Sequence, residues 1–315
     1  MTPTAPVRGG VLLDPAADGP ARIILGGAFG REEDAASFAK LDRFVESGGR
    51  LVETAYSYAR GRGKQVVGQW LRAHGAPLGV VTKVGHGLDG ADIPLDRATV
   101  LAHVRESIEV LGGEPLEVLL YHCDDPERPV EELADTLREI TAEGLARNVG
   151  VSNWPASRLE ALAIEVAEDP PPLVASYHWS LAAPRPEVLA PMGLAADDAV
   201  LGVVRTRGLP LLSWSAQAQG FFARTSPVEG REDPFDTPEN RARRDRCAVL
   251  AAELGEPPAS IALAWTLNHA GVWPTIGPST LAHLDGAISA SRITLSASQL
   301  EWLTWGEEGV DTVVG

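Results

Sequence analysis

At 315 residues, 44% of them apolar, the chain is long enough to bury one large core, and alternating α/β barrels commonly run to this length as a single unit. A formal net charge of -16 argues against sequence-independent binding to nucleic acid or to an anionic membrane, because both need a basic face; an anionic ligand must be gripped locally. Only Cys123 and Cys247 are present, too few for a disulfide scaffold, and no signal peptide or long apolar span is visible, which fits a reducing cytoplasm.

Residues 1–20, rich in Pro, Gly and Ala, read as a tail or a short hairpin around Val11-Leu12-Leu13. From there the chain alternates. A first strand, Arg22 to Leu25, ends in Gly26-Gly27, and a helix follows with Phe38, Leu41 and Phe44-Val45 on one face. Leu51-Val52 runs into Glu53, with Tyr58 five residues on; after the turn Arg60 to Gly63, a helix buries Val66, Val67, Trp70 and Leu71. Gly79 to Thr82 runs into Lys83, ahead of a helix striped by Val100, Leu101, Val104, Ile108 and Leu111. Val118 to Tyr121 runs into His122, and Val130, Leu133, Leu137 and Ile140 face inward after it. Arg147 to Val151 is a fifth strand ending in Ser152-Asn153, with Pro155 suited to a helix start. Leu173 to Ala175 ends in Ser176 and His178, Leu209 to Ser213 in Trp214-Ser215, and Val272 to Ile276 in Gly277 and Ser279. Helices are expected over 186–207 with interruptions, and over 239–254, 259–268, 281–289 and 297–304. Eight strand-to-helix units predict one closed (β/α)8 barrel, a TIM barrel, with an extra C-terminal helix. The Gly-x-Gly-x-x-Gly turn of the open dinucleotide fold is missing after the first strand.

Short apolar runs bounded by turn residues are buried parallel strands. If these strands are neighbours, Glu53, Tyr58, Lys83 and His122 meet at their carboxyl ends, where such barrels hold their chemistry. A phenol is a weak acid at neutral pH, but a cation within about 4–6 Å lowers an acid's pKa by about 1–3 units. Lys83 is placed to be that cation, Glu53 to hold it, and His122 to bond a carbonyl oxygen. The set suits proton delivery to a carbonyl whose carbon receives hydride from a cofactor, since no side chain supplies hydride. Lys83 stands out further because the chain has 24 arginines and only three lysines. Alone, each of these residues reads as structural; their shared placement on consecutive strands gives them weight.

The order of Glu-Thr-Ala-Tyr-Ser-Tyr at 53–58, Val-Val-Thr-Lys at 80–83, Leu-Leu-Tyr-His at 119–122, Gly-Val-Ser-Asn-Trp at 150–154, Ser-Trp-Ser-Ala-Gln at 213–217 and Ile-Gly-Pro-Ser at 276–279 resembles the aldo-keto reductases from Ile23 to Leu303. The resemblance implies a (β/α)8 barrel that reduces aldehydes or ketones with NADPH, NADH being possible, on a small-molecule substrate. It makes Tyr58 the general acid, Lys83 its activating cation and His122 the group that orients the carbonyl, with Glu53 completing the set. It assigns Ser152 and Asn153 to the nicotinamide carboxamide and Trp214 to the nicotinamide ring, and puts Ser176 among the cofactor-binding residues as a shorter hydrogen-bonder that leaves the carboxamide to water or to His178. Ser215, Gln217 and Gly220 line the pyrophosphate path, the turn glycines Gly26, Gly27 and Gly277 are further cofactor-binding positions, and Ser279, His283 and Arg224 are the candidates for a 2′-phosphate.

Three departures accompany the match. Glu53 stands where the family usually has Asp, and Ser176 where it usually has Gln. Leu284 and Ala287 occupy the apparent places of the basic phosphate grip and the adenine-binding Asn. Two other readings follow from the same residues: a dinucleotide-binding regulatory protein without turnover, and a barrel using the groups for a different proton transfer. His122-Cys123-Asp124-Asp125 alternates between faces and has no spaced partner set, so no metal is expected. Trp154, Trp179 and Trp214 are candidate walls of the substrate pocket, core packing being an equally good account of Trp154, and Arg241, Arg243, Arg244 and Arg246 read as a solvated helix face.

Overall fold

The computed structural model describes residues 13, 17–27, 29–75, 78–166, 173–190, 193–224 and 232–306. The apolar runs become eight short strands: β1 (Ile24–Leu25), β2 (Leu51–Glu53), β3 (Gly79–Val84), β4 (Leu116–Tyr121), β5 (Ala146–Ser152), β6 (Leu173–His178), β7 (Leu211–Trp214) and β8 (Val272–Ile276). All neighbours pair in parallel and β1 pairs β8, Ile24 opposite Thr275, so the sheet closes on itself. Closure removes both edges of this sheet.

The first strand is shorter than its apolar run suggests. Gly19–Arg22 forms a 3-10 turn instead, and the Arg22 guanidinium donates to the carbonyls of His269 (3.1 Å) and Val272 (2.7 Å). A guanidinium cannot enter an apolar layer unpaired, so it stays at the lower rim. The expected N-terminal tail or hairpin lies outside the described residues except Leu13, which is buried with Ile24, Leu51, Val118, Val174 and Trp273.

Around the barrel lie α1 (Asp34–Glu46), α2 (Arg62–His74), α3 (Arg97–Leu111), α4 (Val130–Ala142), α5 (Ala156–Glu165), α6 (Pro186–Leu189), α7 (Asp198–Arg207), α8 (Pro238–Leu254), α9 (Pro258–Leu267), α10 (Leu281–Ala290) and α11 (Ala297–Trp305). Local chemistry sets their ends: Asp96 caps α3 by accepting from the Thr99 amide at 3.0 Å, and Gly112 ends it at φ 114°. Ser296 and Gln299 form a reciprocal capping box on α11. The interruption expected within 186–207 is real: α6 and α7 are separated because Leu194 and Ala196 exchange backbone hydrogen bonds with His178 at the end of β6.

The arginine face of α8 corrects the sequence reading. Arg241 makes an exposed pair with Asp236, but Arg243 donates to the Thr304 carbonyl, and Arg246 to those of Leu303 and Thr304. The last carbonyls of α11 have no helical partner, and these guanidiniums supply one. Arg244 instead donates to the Arg224 carbonyl at 3.2 Å. Among the described residues, no single helix is long and apolar enough to cross a membrane.

Strand alternation positions the site. Leu51, Val81, Leu120, Val174 and Leu212 form one buried cluster, whereas Val52, Val80, Leu119, Tyr121, Ala175 and Leu211 pack in the layer shared with the helices. Two residues on from the first set stand Glu53, Lys83, His122, Ser176 and Trp214, so the same period of two directs them to the barrel's interior above the apolar layer.

Candidate active site

Lys83 is the hub. Its ammonium lies 2.8 Å from Glu53 Oε1 and 3.1 Å from the Tyr58 hydroxyl, and both Lys83 and Glu53 are buried. Burial disfavours the ammonium, yet attraction to Glu53 and Tyr58 and hydrogen bonds to both outweigh it, lifting Lys83 above the ordinary lysine value. The extra methylene of Glu53 is accommodated without loss of the ion pair. Gly26 contributes to the fit: a Cβ there would meet Thr275 Cγ2 at 2.9 Å and stand 3.8 Å from Glu53 Oε1.

Tyr58 sits at the start of a turn in which Ala59 and Arg60 take positive φ, 51° and 55°, conformations unusual for residues with a side chain. The turn folds the chain directly into α2 and leaves the phenol beside His122, with ring centroids 5.6 Å apart. Burial, then the charges of Lys83 and His86, hold the His122 imidazole well below its ordinary pKa. It is therefore neutral at pH 7 and able to donate one hydrogen bond. His86 stands 4.4 Å from it, centroid to centroid; nothing in the local sequence marked that residue, because it comes from the loop after β3.

A cavity of about 970 Å³ opens over this group, at the upper end of the range for ligand pockets. Glu53, Tyr58, Lys83 and His122 line its floor; Gly27, Ser152, Asn153, Trp214, Ser215, Gln217, Gly220, Arg224, Gly277, Ser279 and His283 also line it. Two expected residues do not. Gly26 is buried against β8, as its contacts require, and Ser176 is fully buried, its hydroxyl without a partner. The shorter side chain stops below the cavity that a longer amide would enter.

Backbone strain shapes the rim. Asn153 and Ser215, immediately past the ends of β5 and β7, have φ of 62° and 52°. The Asn153 amide donates to the His122 carbonyl (3.3 Å) and the Ser152 hydroxyl (3.0 Å), while its oxygen accepts from the Leu194 amide. It thereby ties three loops together. Gly193 lets the Trp214 ring approach, since a Cβ would fall 2.9 Å from that ring.

At the far end, Ser279 and His283 are hydrogen-bonded at 2.9 Å at the start of α10, which Thr280 caps. Leu284 and Ala287 are fully buried; they face the core, and Ala282, His283 and Gly286 line the cavity instead. Arg224 is already engaged, by Asp233 and by the Gln219 carbonyl, so it is not a free cation. Arg31, exposed in the loop after β1, also lines the cavity. Its closeness to glycines 27 and 30 was the available signal.

Of the three tryptophans at strand ends, Trp214 lines the cavity and the other two do not. Trp154 is fully buried, donates to the Cys123 carbonyl at 3.0 Å and stacks near Tyr121; Trp179 packs on Trp265 and His269.

A buried Lys–Glu pair with a half-buried tyrosine, under a cavity at the carboxyl end of a closed parallel barrel, narrows the choice of family, and comparison with known proteins decides it. The model of the aldo/keto reductase family matches residues 22–304. The chain belongs to the aldo/keto reductase family. It is an oxidoreductase of the aldo-keto reductase type. Versiconal hemiacetal acetate reductase of Aspergillus parasiticus is 25% identical over 308 residues, covering 85% of each chain. Norsolorinic acid reductase of Aspergillus flavus is 26% identical, over 87% of this chain and 72% of its own. In structure, an aldo/keto reductase from Klebsiella pneumoniae in complex with NADP and acetate superposes with a TM-score of 0.70, at 22% identity, over 90% of this chain and 89% of that one. A thermostable aldo-keto reductase bound to the inhibitor epalrestat gives the same TM-score at 21% identity, over 90% and 94%. Both support the barrel fold.

Proposed function

We propose that this aldo-keto reductase reduces an aldehyde or ketone with NADPH, with Tyr58 as the acid that protonates the carbonyl oxygen. The observation that carries the reading is the Lys83 ammonium held between Glu53 and the Tyr58 hydroxyl at 2.8 and 3.1 Å. A buried cation against a phenol favours the phenolate left after proton transfer. Neutral His122 donates a hydrogen bond to the carbonyl oxygen and holds it near Tyr58. Glu53 keeps Lys83 charged and in place.

The bound nicotinamide cofactor supplies hydride, and the residues present fit one. The cavity runs from the Lys83 group to Ser279 and His283. Trp214 offers a ring face, Ser152 and Asn153 offer polar groups to a carboxamide, and Ser215, Gln217, Gly220 and Gly277 line the path between. With Leu284 buried and Arg224 paired to Asp233, a 2′-phosphate falls to Ser279, His283 and Arg31.

Titration of the protein with NADPH and with NADH, read by tryptophan fluorescence and followed by turnover of a simple reactive aldehyde, tests the reading. Tighter binding of NADPH together with turnover is expected. Equal binding of the two leaves the reductase but removes the phosphate grip. Binding without turnover makes the chain a dinucleotide-dependent regulator, and no binding of either nucleotide removes reduction altogether.

A further inference from the structure

Beside the carbonyl end of the cavity, three metal-ligating side chains from two loops converge: His86, Asp92 and Cys123 bring Nδ1, a carboxylate oxygen and Sγ within 4.8 Å of one another. The fold builds this arrangement deliberately. After β3 the chain makes a small hairpin, closed by Gly87 N–H to the Ala91 carbonyl (2.8 Å) and Ile93 N–H to the Gly85 carbonyl (3.1 Å), which sets His86 directly across from Asp92. Residues opposite one another on antiparallel strands share a face. Their side chains meet at 2.8 Å. Cys123 arrives from the end of β4, its sulfur 3.5 Å from the Gly85 carbonyl and 4.0 Å from His86 Nδ1.

We infer that His86, Asp92 and Cys123 form a site for a borderline-soft divalent cation of the zinc class, beside the substrate end of the cavity. Imidazole nitrogen, thiolate sulfur and carboxylate oxygen are the ligands zinc takes, at roughly 2.0–2.3 Å each. Those bond lengths put tetrahedral donors roughly 3.3–3.6 Å apart, between the 2.8 and 4.0 Å found here. Small rotations of side chains close the set. A thiol donor disfavours Mg²⁺ and Ca²⁺, which prefer oxygen. Neighbouring acids do not compete: Asp124 is held by Arg158, and Asp125 accepts from the Leu95 amide and pairs with Arg128. Asp92, with its side chain 75% exposed, gains little from an exposed ion pair with His86. Binding displaces the thiol proton of Cys123 to solvent, and three protein ligands leave a fourth position for water. Because His86 stands 4.4 Å from His122, an ion held there puts positive charge beside the group proposed to orient the carbonyl. Occupancy therefore changes the rate of reduction.

The test is calorimetric titration of the full chain with Zn²⁺, repeated with Co²⁺ while recording the thiolate-to-cobalt charge-transfer band. The expected result is one saturable Zn²⁺ site per chain, weakened at least tenfold in Asp92→Asn and in Cys123→Ser, with the cobalt band absent from Cys123→Ser. Asp92 is a surface residue, so its variant reports on the ion and not on folding. Undiminished binding in both variants, or no saturable binding below millimolar Zn²⁺, overturns the site. This arm is independent of the proposed reductase activity. Where turnover is measured, Zn²⁺ is expected to change the rate of the wild type and leave that of Asp92→Asn unaltered; binding with no change of rate overturns the link to His122.

Discussion

At the scale of single residues, each member of the Lys83 group acts differently and is separable by experiment. Tyr58→Phe removes the proton donor without touching the ion pair. Reduction should fall by about 10²–10⁴-fold, the usual contribution of a general acid, while NADPH affinity by fluorescence titration stays within a few-fold; equal loss of both would contradict the role. Glu53→Asp shortens the carboxylate by one methylene but keeps its charge, so kcat should stay within about tenfold, or about 1.4 kcal/mol of barrier. Collapse to background would show that the site is built around the longer side chain. Glu53→Gln is harsher. It strands the buried Lys83 ammonium, a loss on the order of 3–5 kcal/mol for a buried pair, readable as a lower urea midpoint. The sign of the pH dependence follows from Lys83 being raised: its stabilisation is complete below the unfolded lysine value of about 10.4 and is lost only as pH rises through the higher folded value. Between pH 7 and 10 the contribution of this pair to the stability of the wild type should therefore be flat.

At the scale of elements, β5 and β6 hold two sensitive positions. A Cβ on Gly150 would fall 2.0 Å from the Val174 carbonyl oxygen and 3.0 Å from Leu120. Backbone cannot give way there without shifting the register that carries Ser152 and Asn153. Gly150→Ala should cost about 1–3 kcal/mol or more in urea unfolding and weaken dinucleotide binding with it; a neutral outcome would show that the strands can slide. Next door, His178 is fully buried, neither ring nitrogen has a partner, and it packs against Trp214 and Phe235. Burial pushes its pKa down to about 4. A base depressed on folding takes up its proton more readily when unfolded, so stability falls as pH drops from about 6.5 toward 4. The loss amounts to roughly 3 kcal/mol at about 1.4 kcal/mol per unit. His178→Leu should flatten that part of the wild-type profile, and parallel profiles would refute the assignment.

For the whole molecule, the closed barrel makes cofactor binding and folding one equilibrium, because both faces of the proposed cofactor cleft come from strands distant in sequence. NADPH at 100 times its dissociation constant should add about 2.7 kcal/mol to unfolding, and urea curves with and without nucleotide check this. Strand number, strand ends and the four residues around Lys83 were legible in the chain itself, because burial on both sides writes an uninterrupted apolar run and the first polar residue after it marks the rim. The arginines of α8 were misread, since a charged helix face looks the same whether it meets water or the carbonyls of α11. That Ser176 and Gly26 do not line the cavity was illegible for a related reason: sequence identifies the strand end but not the depth to which a side chain reaches. By itself, then, the sequence determined the barrel, its strand order and which polar residues stand together at the strand ends, all consequences of local periodicity. Only the tertiary structure decided that Arg224 is already paired, that Leu284 faces the core, and that His86 and Asp92 come to lie beside Cys123. Those facts depend on distances between loops far apart along the chain, and no local pattern encodes a distance.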